Sequence, residues 1–118
     1  MRAPRFTLVA LLLVVLHGFV WAAGLPVSLV QLSSPVERFT DASITVKTAP
    51  AASCAITVLY KSGPSRAKGL DPKLADHSGF VTWRWRVGSK TTPGQWPVVV
   101  TCEHGGNRGE LRTMLEVR

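Results

Sequence analysis

The run Val81-Thr82-Trp83-Arg84-Trp85-Arg86-Val87 alternates apolar and polar residues without a break, and no other feature constrains the chain as strongly. A period of two places Val81, Trp83, Trp85 and Val87 on one side of an extended strand, with Thr82, Arg84 and Arg86 on the other. A helix would put residues two apart on opposite sides and give no apolar face. The alternation therefore predicts a half-buried strand and assigns both tryptophans to the core.

The same rhythm recurs along the chain. Ala42 to Thr48 sets Ile44 and Val46 against Ser43, Thr45 and Lys47, and Cys54 to Lys61 puts Cys54, Ile56, Val58 and Tyr60 on one face. Trp96, Val98, Val100 and Cys102 share a face, so Trp96 also goes to the core. In the last run Leu111, Thr113, Leu115 and Val117 point inward, with Arg112, Met114, Glu116 and Arg118 outward. A first strand is expected over residues 26–32 and a short edge strand around Lys68 to Leu70. Between these runs lie Ser33-Ser34-Pro35, Ala49-Pro50-Ala51-Ala52, Asp76-His77-Ser78-Gly79 and Thr91-Thr92-Pro93-Gly94, all rich in turn-forming residues. In the third of these, Asp76 is placed to accept a bond from the backbone two residues on. Gly105 to Gly109 reads as a loose hairpin connection. No stretch reads as a helix. Six strands and a shorter seventh, with turns at sandwich-like spacing, predict an all-β fold: an immunoglobulin-like two-sheet sandwich of about seven antiparallel strands. A small barrel is the alternative.

The N-terminus belongs to a different class of sequence. Arg2 and Arg5 precede an uncharged apolar run from Phe6 to Leu16, and Val20-Trp21-Ala22 ends in a small residue. This is the pattern of a secretory signal peptide, with cleavage expected after Ala22 and a domain over residues 23–118. The alternative is an uncleaved anchor, because Phe6 to Ala23 reaches the lower limit of a membrane span. The expected location is extracellular or at the cell surface, with the membrane met only during export or through such an anchor.

Export gives the two cysteines, Cys54 and Cys102, an oxidising environment in which an even pair closes. One disulfide is expected. It would close a loop of about 49 residues, worth about 4 kcal/mol in the loop-entropy model. In the predicted topology Cys54 opens the third long strand and Cys102 ends the next to last, its antiparallel neighbour in one sheet. Both lie in the inward parity, so the bond forms without a register shift. No CxxC is present and no histidine sits at ligand spacing from Cys54, which gives a redox or metal role no support.

Several segments resemble the bacterial Ig-like modules of secreted and cell-surface proteins. They are Ile44 to Pro50, Tyr60 to Ser65, Ala75 to Gly79, Trp83 to Gly88 and Thr92 to Cys102. The most specific part is the Asp-x-x-Gly turn, the Trp-x-Trp strand and the Pro-Gly-x-Trp turn leading into a Cys-ended strand. Such modules usually carry Gly in the turns before the second and third strands, where this chain has Thr40-Asp41 and Ala51. The resemblance implies an extracytoplasmic sandwich, commonly a spacer or accessory domain, with no catalytic residues to carry over.

The candidate chemistry is sparse. His77 sits in a turn and His104 follows a strand end, and no nucleophile motif, carboxylate pair or metal spacing accompanies either. Asp71 and Asp76 fall short of the oxygen ligands calcium requires. The expectation is a structural or interaction module without catalytic activity, cofactor or metal; a small hydrolase is the remotest alternative.

Charge supplies the remaining hypothesis. The chain carries 14 Lys+Arg against 7 Asp+Glu. Removal of residues 1–22 takes Arg2 and Arg5, leaving 12 basic against 7 acidic side chains. The excess lies in the window from Lys61 to Lys90. Arg84 and Arg86 point outward together. With Lys61, Arg66 and Lys68, and joined by Lys47, they would form a basic face for an anionic polymer such as teichoic acid, polysaccharide or extracellular DNA. A solvated face that deters edge pairing explains the same residues. The expected partner is thus an unidentified protein or an anionic surface polymer.

Overall fold

A computed structural model describes residues 24–118, so the leader and the anchor alternative lie outside the described residues. Eight strands form: β1 (Ser28–Leu32), β2 (Asp41–Lys47), β3 (Ser53–Tyr60), β4 (Gly63–Pro64), β5 (Lys73–Leu74), β6 (Phe80–Arg86), β7 (Gly94–His104) and β8 (Asn107–Val117). Among the described residues there is no helix, and hence none able to cross a membrane. One sheet has the order β1-β2-β6. The other has β4-β3-β7-β8, with β5 also on β3, and all these pairings are antiparallel. Two facing sheets in this order form the immunoglobulin-like sandwich rather than a closed barrel.

The alternation places the residues as expected. Trp83 and Trp85 are 0% and 2% exposed, and with Ile44, Val46, Val81 and Val87 they form the three-stranded sheet's share of the core. The other sheet contributes Ile56, Val58, Val98, Val100, Leu115 and Val117. Covering two tryptophans stabilises the fold by about 4 to 6 kcal/mol each, as an upper estimate from area. Trp96 departs from the expectation. It is half-buried at the edge of the core, and its Nε1 donates to the Thr92 carbonyl at 2.7 Å in the loop before β7. Parity aims its ring inward, but its place near the start of β7 leaves one side open.

Cys54 and Cys102 are direct cross-strand partners on β3 and β7, with Cα atoms 4.1 Å apart, and they form the disulfide. The bond therefore ties two strands of one sheet.

The connections correct three expectations. Residues Lys68 to Leu70 form a turn, not an edge strand. Gly69 has φ +97° there, and a Cβ at this position would lie 2.0 Å from the Arg84 carbonyl oxygen, so the segment presses on β6 in a conformation no strand adopts. The edge of β3 is covered instead by β4 and β5, with Pro64 on an outer strand where its missing donor is harmless. The second correction concerns residues 105–109, which are not a loose connection. His104 pairs with Asn107 across Gly105-Gly106, whose φ values of +58° and +82° suit a tight two-residue turn. The third is that the first strand runs from Ser28 and not from residue 26, and it carries a register shift between Leu29 and Gln31, a bulge that interrupts an exposed edge.

The turn at Asp76 forms as read. Its Oδ1 accepts from the Ser78 and Phe80 amides at 2.9 Å each, and these bonds hold the carboxyl below the usual aspartate range. The two turns lacking the expected glycine carry the consequence in the backbone: Phe39 and Ala51 adopt φ of +63° and +65°. Left-handed backbone costs a residue with a Cβ about 1–2 kcal/mol.

Two outcomes follow for stability, both read by urea unfolding monitored through tryptophan fluorescence. Ala51→Gly should stabilise the domain by about 0.5–1 kcal/mol, the relieved strain less the added chain entropy; a loss of stability would contradict the strained turn. Cys54→Ala/Cys102→Ala should lower the unfolding free energy by about 2–4 kcal/mol, given the 48-residue separation the bond spans.

Candidate interaction surface

The outer face of β1-β2-β6 is built by the polar half of the alternation. Along β2 and β6, Asp41 lies opposite Arg86, Ser43 opposite Arg84, Thr45 opposite Thr82 and Lys47 opposite Phe80. The hydroxyls of Thr45 and Thr82 are hydrogen-bonded at 2.7 Å, which binds the middle of the face across the strands. At one end, Asp41 sits between both arginines, with Arg86 Nε 3.4 Å from Oδ1 and an Arg84 nitrogen 4.0 Å from Oδ2. The groups are exposed, so each pair contributes little stability, but the carboxylate offsets the field that two free arginines would project.

Lys47 does not join these arginines. Opposite Phe80, it stands about 13 Å along the strand from the level of Arg84. Its ammonium lies 5.1 Å from the centre of the Phe80 ring. A matching contact occurs at the other end, where the Arg86 guanidinium lies 5.1 Å from the centre of the Phe39 ring. Phe39 is 63% exposed, and its amide donates to the Val87 carbonyl at 2.7 Å, so the strained turn holds an aromatic ring outward. The sequence reading missed Phe39. Its signal was indirect, in the missing glycine of the turn before β2.

The other basic residues are dispersed. Lys61 follows β3 on the opposite sheet, while Arg66 and Lys68 are exposed in the connection between β4 and β5. Lys73 donates to the Thr82 carbonyl at 2.7 Å and covers the free edge of β6. The five residues read as one basic surface therefore occupy three places. The cations outside the Lys61 to Lys90 window matter as well. Arg38 and Arg118 meet where the Arg38 amide and Nε reach the Arg118 carbonyl, at the end of the sandwich that also carries Lys61 and Lys90. At the opposite end Arg108 is paired with Glu103. Among the described residues no group of three His, Cys, Asp or Glu side chains is arranged to hold a metal ion.

Two indoles join the sheets to their surroundings. Trp83 Nε1 donates to the Asp71 carbonyl at 2.8 Å, and Trp85 Nε1 donates to the Tyr60 hydroxyl at 3.1 Å, crossing from β6 to β3. Burial pushes the Tyr60 hydroxyl above its ordinary pKa, and the indole bond opposes this more weakly. Because the neutral phenol is favoured in the fold, this contribution is intact below the unfolded tyrosine's pKa and is lost as pH rises through the higher folded value. Tyr60 is the chain's single tyrosine. The near-ultraviolet tyrosinate absorbance of the native protein should thus titrate at higher pH than that of the urea-unfolded chain. Tyr60→Phe should cost about 1–2 kcal/mol by leaving the Trp85 N–H without its acceptor. Coincident native and unfolded titrations would contradict the buried bond.

The chain matches no protein-family model, and no curated protein matches it in sequence.

Proposed function

We propose that this chain is an exported Ig-like β-sandwich module that acts through surface contact, without a reaction of its own, beside a protein partner. The observation that carries the reading is the outer face of β1-β2-β6, where Phe39 and Phe80 are exposed and each lies beneath a cation. Protein interfaces concentrate aromatic side chains and arginine, and neither phenylalanine is needed to fill the core. The intrasheet disulfide and the resemblance of the Asp76 to Gly79 turn and the Trp83 to Gly88 segment to bacterial Ig-like modules support an extracytoplasmic setting. The competing reading, an anionic polymer held on this sheet face, has less support, because Asp41 faces Arg84 and Arg86 and Lys47 stands apart.

The test uses the full chain expressed with its leader in its native host. The expected product begins at Ala23, carries Cys54 joined to Cys102 and lies outside the cytoplasm. A photo-crosslinking residue at Phe39 should capture one discrete protein that the same residue at Arg112, on the outer face of β8, does not. Retention in the cytoplasm with free thiols, or identical crosslinks from both positions, would overturn the reading.

A further inference from the structure

A second surface feature lies at the end of the sandwich, away from the sheet face. A depression of about 630 Å³ opens between the turn after β3, with Tyr60, Lys61 and Ser62, and the loop between β6 and β7, with Lys90, Thr91 and Thr92. This volume is in the range of small-molecule sites, and the lining brings the hydroxyls of Tyr60, Ser62, Thr91 and Thr92 and two lysine ammonium groups to the space as donors. Lysines stand on both sides, no carboxylate lines the space, and among the described residues neither lysine is in an ion pair.

Both walls are fixed from within the fold. The Tyr60 hydroxyl accepts from Trp85 Nε1 at 3.1 Å, which leaves its own hydrogen free to donate. On the other wall, Trp96 Nε1 holds the Thr92 carbonyl at 2.7 Å and the Thr91 amide donates to Gly88 at 3.2 Å. Walls pinned in this way lose little freedom when a ligand arrives. The charge selects the ligand. Two ammonium groups without a neighbouring acid match a dianion, whereas a carboxylate or a phosphodiester would neutralise only one of them. A phosphate monoester carries close to two negative charges at neutral pH and presents three acceptor oxygens, and lysine serves such groups as a point charge.

We propose that the depression bounded by Lys61 and Lys90 is a binding site for a phosphate monoester, carried by a soluble sugar phosphate or by a lipid headgroup. The proposal rests on the reading of the chain as a module that acts through its surface, and it adds a ligand site separate from the sheet face.

The experiment is a titration of the isotope-labelled mature domain with inorganic phosphate at constant ionic strength, followed by amide nuclear magnetic resonance. Saturable shifts are expected at Ser62, Thr91 and Thr92. Binding should weaken at least tenfold in Lys61→Glu/Lys90→Glu and stay unchanged in Arg84→Glu/Arg86→Glu, with the dispersed spectrum of each variant reporting that it has folded. Dimethyl phosphate, a monoanion, should bind more weakly than phosphate. Glucose 1-phosphate and vesicles containing phosphatidic acid separate the two sources: shifts with the first assign a soluble ligand, and cosedimentation with the second assigns a membrane one. The proposal is overturned by the absence of saturable shifts at these amides, by equal affinity in Lys61→Glu/Lys90→Glu, or by dimethyl phosphate binding as tightly as phosphate. An exported chain that crosslinks through Phe39 but shows no phosphate shifts would lose this site alone.

Discussion

The fold depends on the burial of Trp83 and Trp85 between the two sheets. Both are large, both carry an N–H that must find an acceptor when removed from water, and both sit on a strand with a single strand partner. The acceptors come from the other side of the molecule: the Asp71 carbonyl in the connection before β5 and the Tyr60 hydroxyl at the end of β3. These bonds define where the second sheet and its long connection lie against β6. Gly69 allows the same connection to approach the Arg84 carbonyl, and Lys73 covers the Thr82 carbonyl, so the edge of β6 is closed without another strand.

The opposite sheet is held differently. Its β3-β7-β8 core is a continuous antiparallel ladder, closed at one end by the Gly105-Gly106 turn and tied within the sheet by Cys54–Cys102. The outer edge of β8 meets the segment before β1 through the bond from the Leu25 amide to the Arg108 carbonyl, and meets the connection between β1 and β2 where Val36 exchanges bonds with Glu116 and Arg118. With the scaffold fixed from within, the turns and loops can carry less favourable features. Phe39 and Ala51 occupy left-handed backbone, and the loop of Lys90 to Thr92 stands beside Lys61. The proposed contact and ligand surfaces lie at such places, where the core does not dictate the side chain.

Much of the fold was legible because its determinants are local. The period of two told which side of β2, β3, β6 and β8 faces inward, and the Asp76 turn was readable because a carboxylate two residues from its amide partner needs nothing remote. Trp96 shows where this logic weakens: parity gives a direction, while burial depends on what covers the strand end. The residues 68 to 70 show it again, since close approach to β6 overrode a weak strand pattern. The charge distribution was the least legible. A window of sequence held the cationic excess, but the sheet order put Asp41 beside Arg84 and Arg86, sent Lys47 to the other end and brought Arg38 and Arg118 to the end occupied by Lys61 and Lys90.

The sequence by itself determined the long strands, their inward faces, the core placement of Trp83 and Trp85 and the cysteine pair, because alternation and turn chemistry act over a few residues and a side chain cannot change face without slipping the register. Only the tertiary structure decided that Asp41 neutralises Arg84 and Arg86, that Phe39 points outward under Arg86, and that Lys61 and Lys90 border one depression whose walls are pinned by Trp85 and Trp96. Apart from the local bond of Trp96 to Thr92, those relations join residues 25 to 47 positions apart in the chain, and their proximity follows from how the sheets stack and where the loops return.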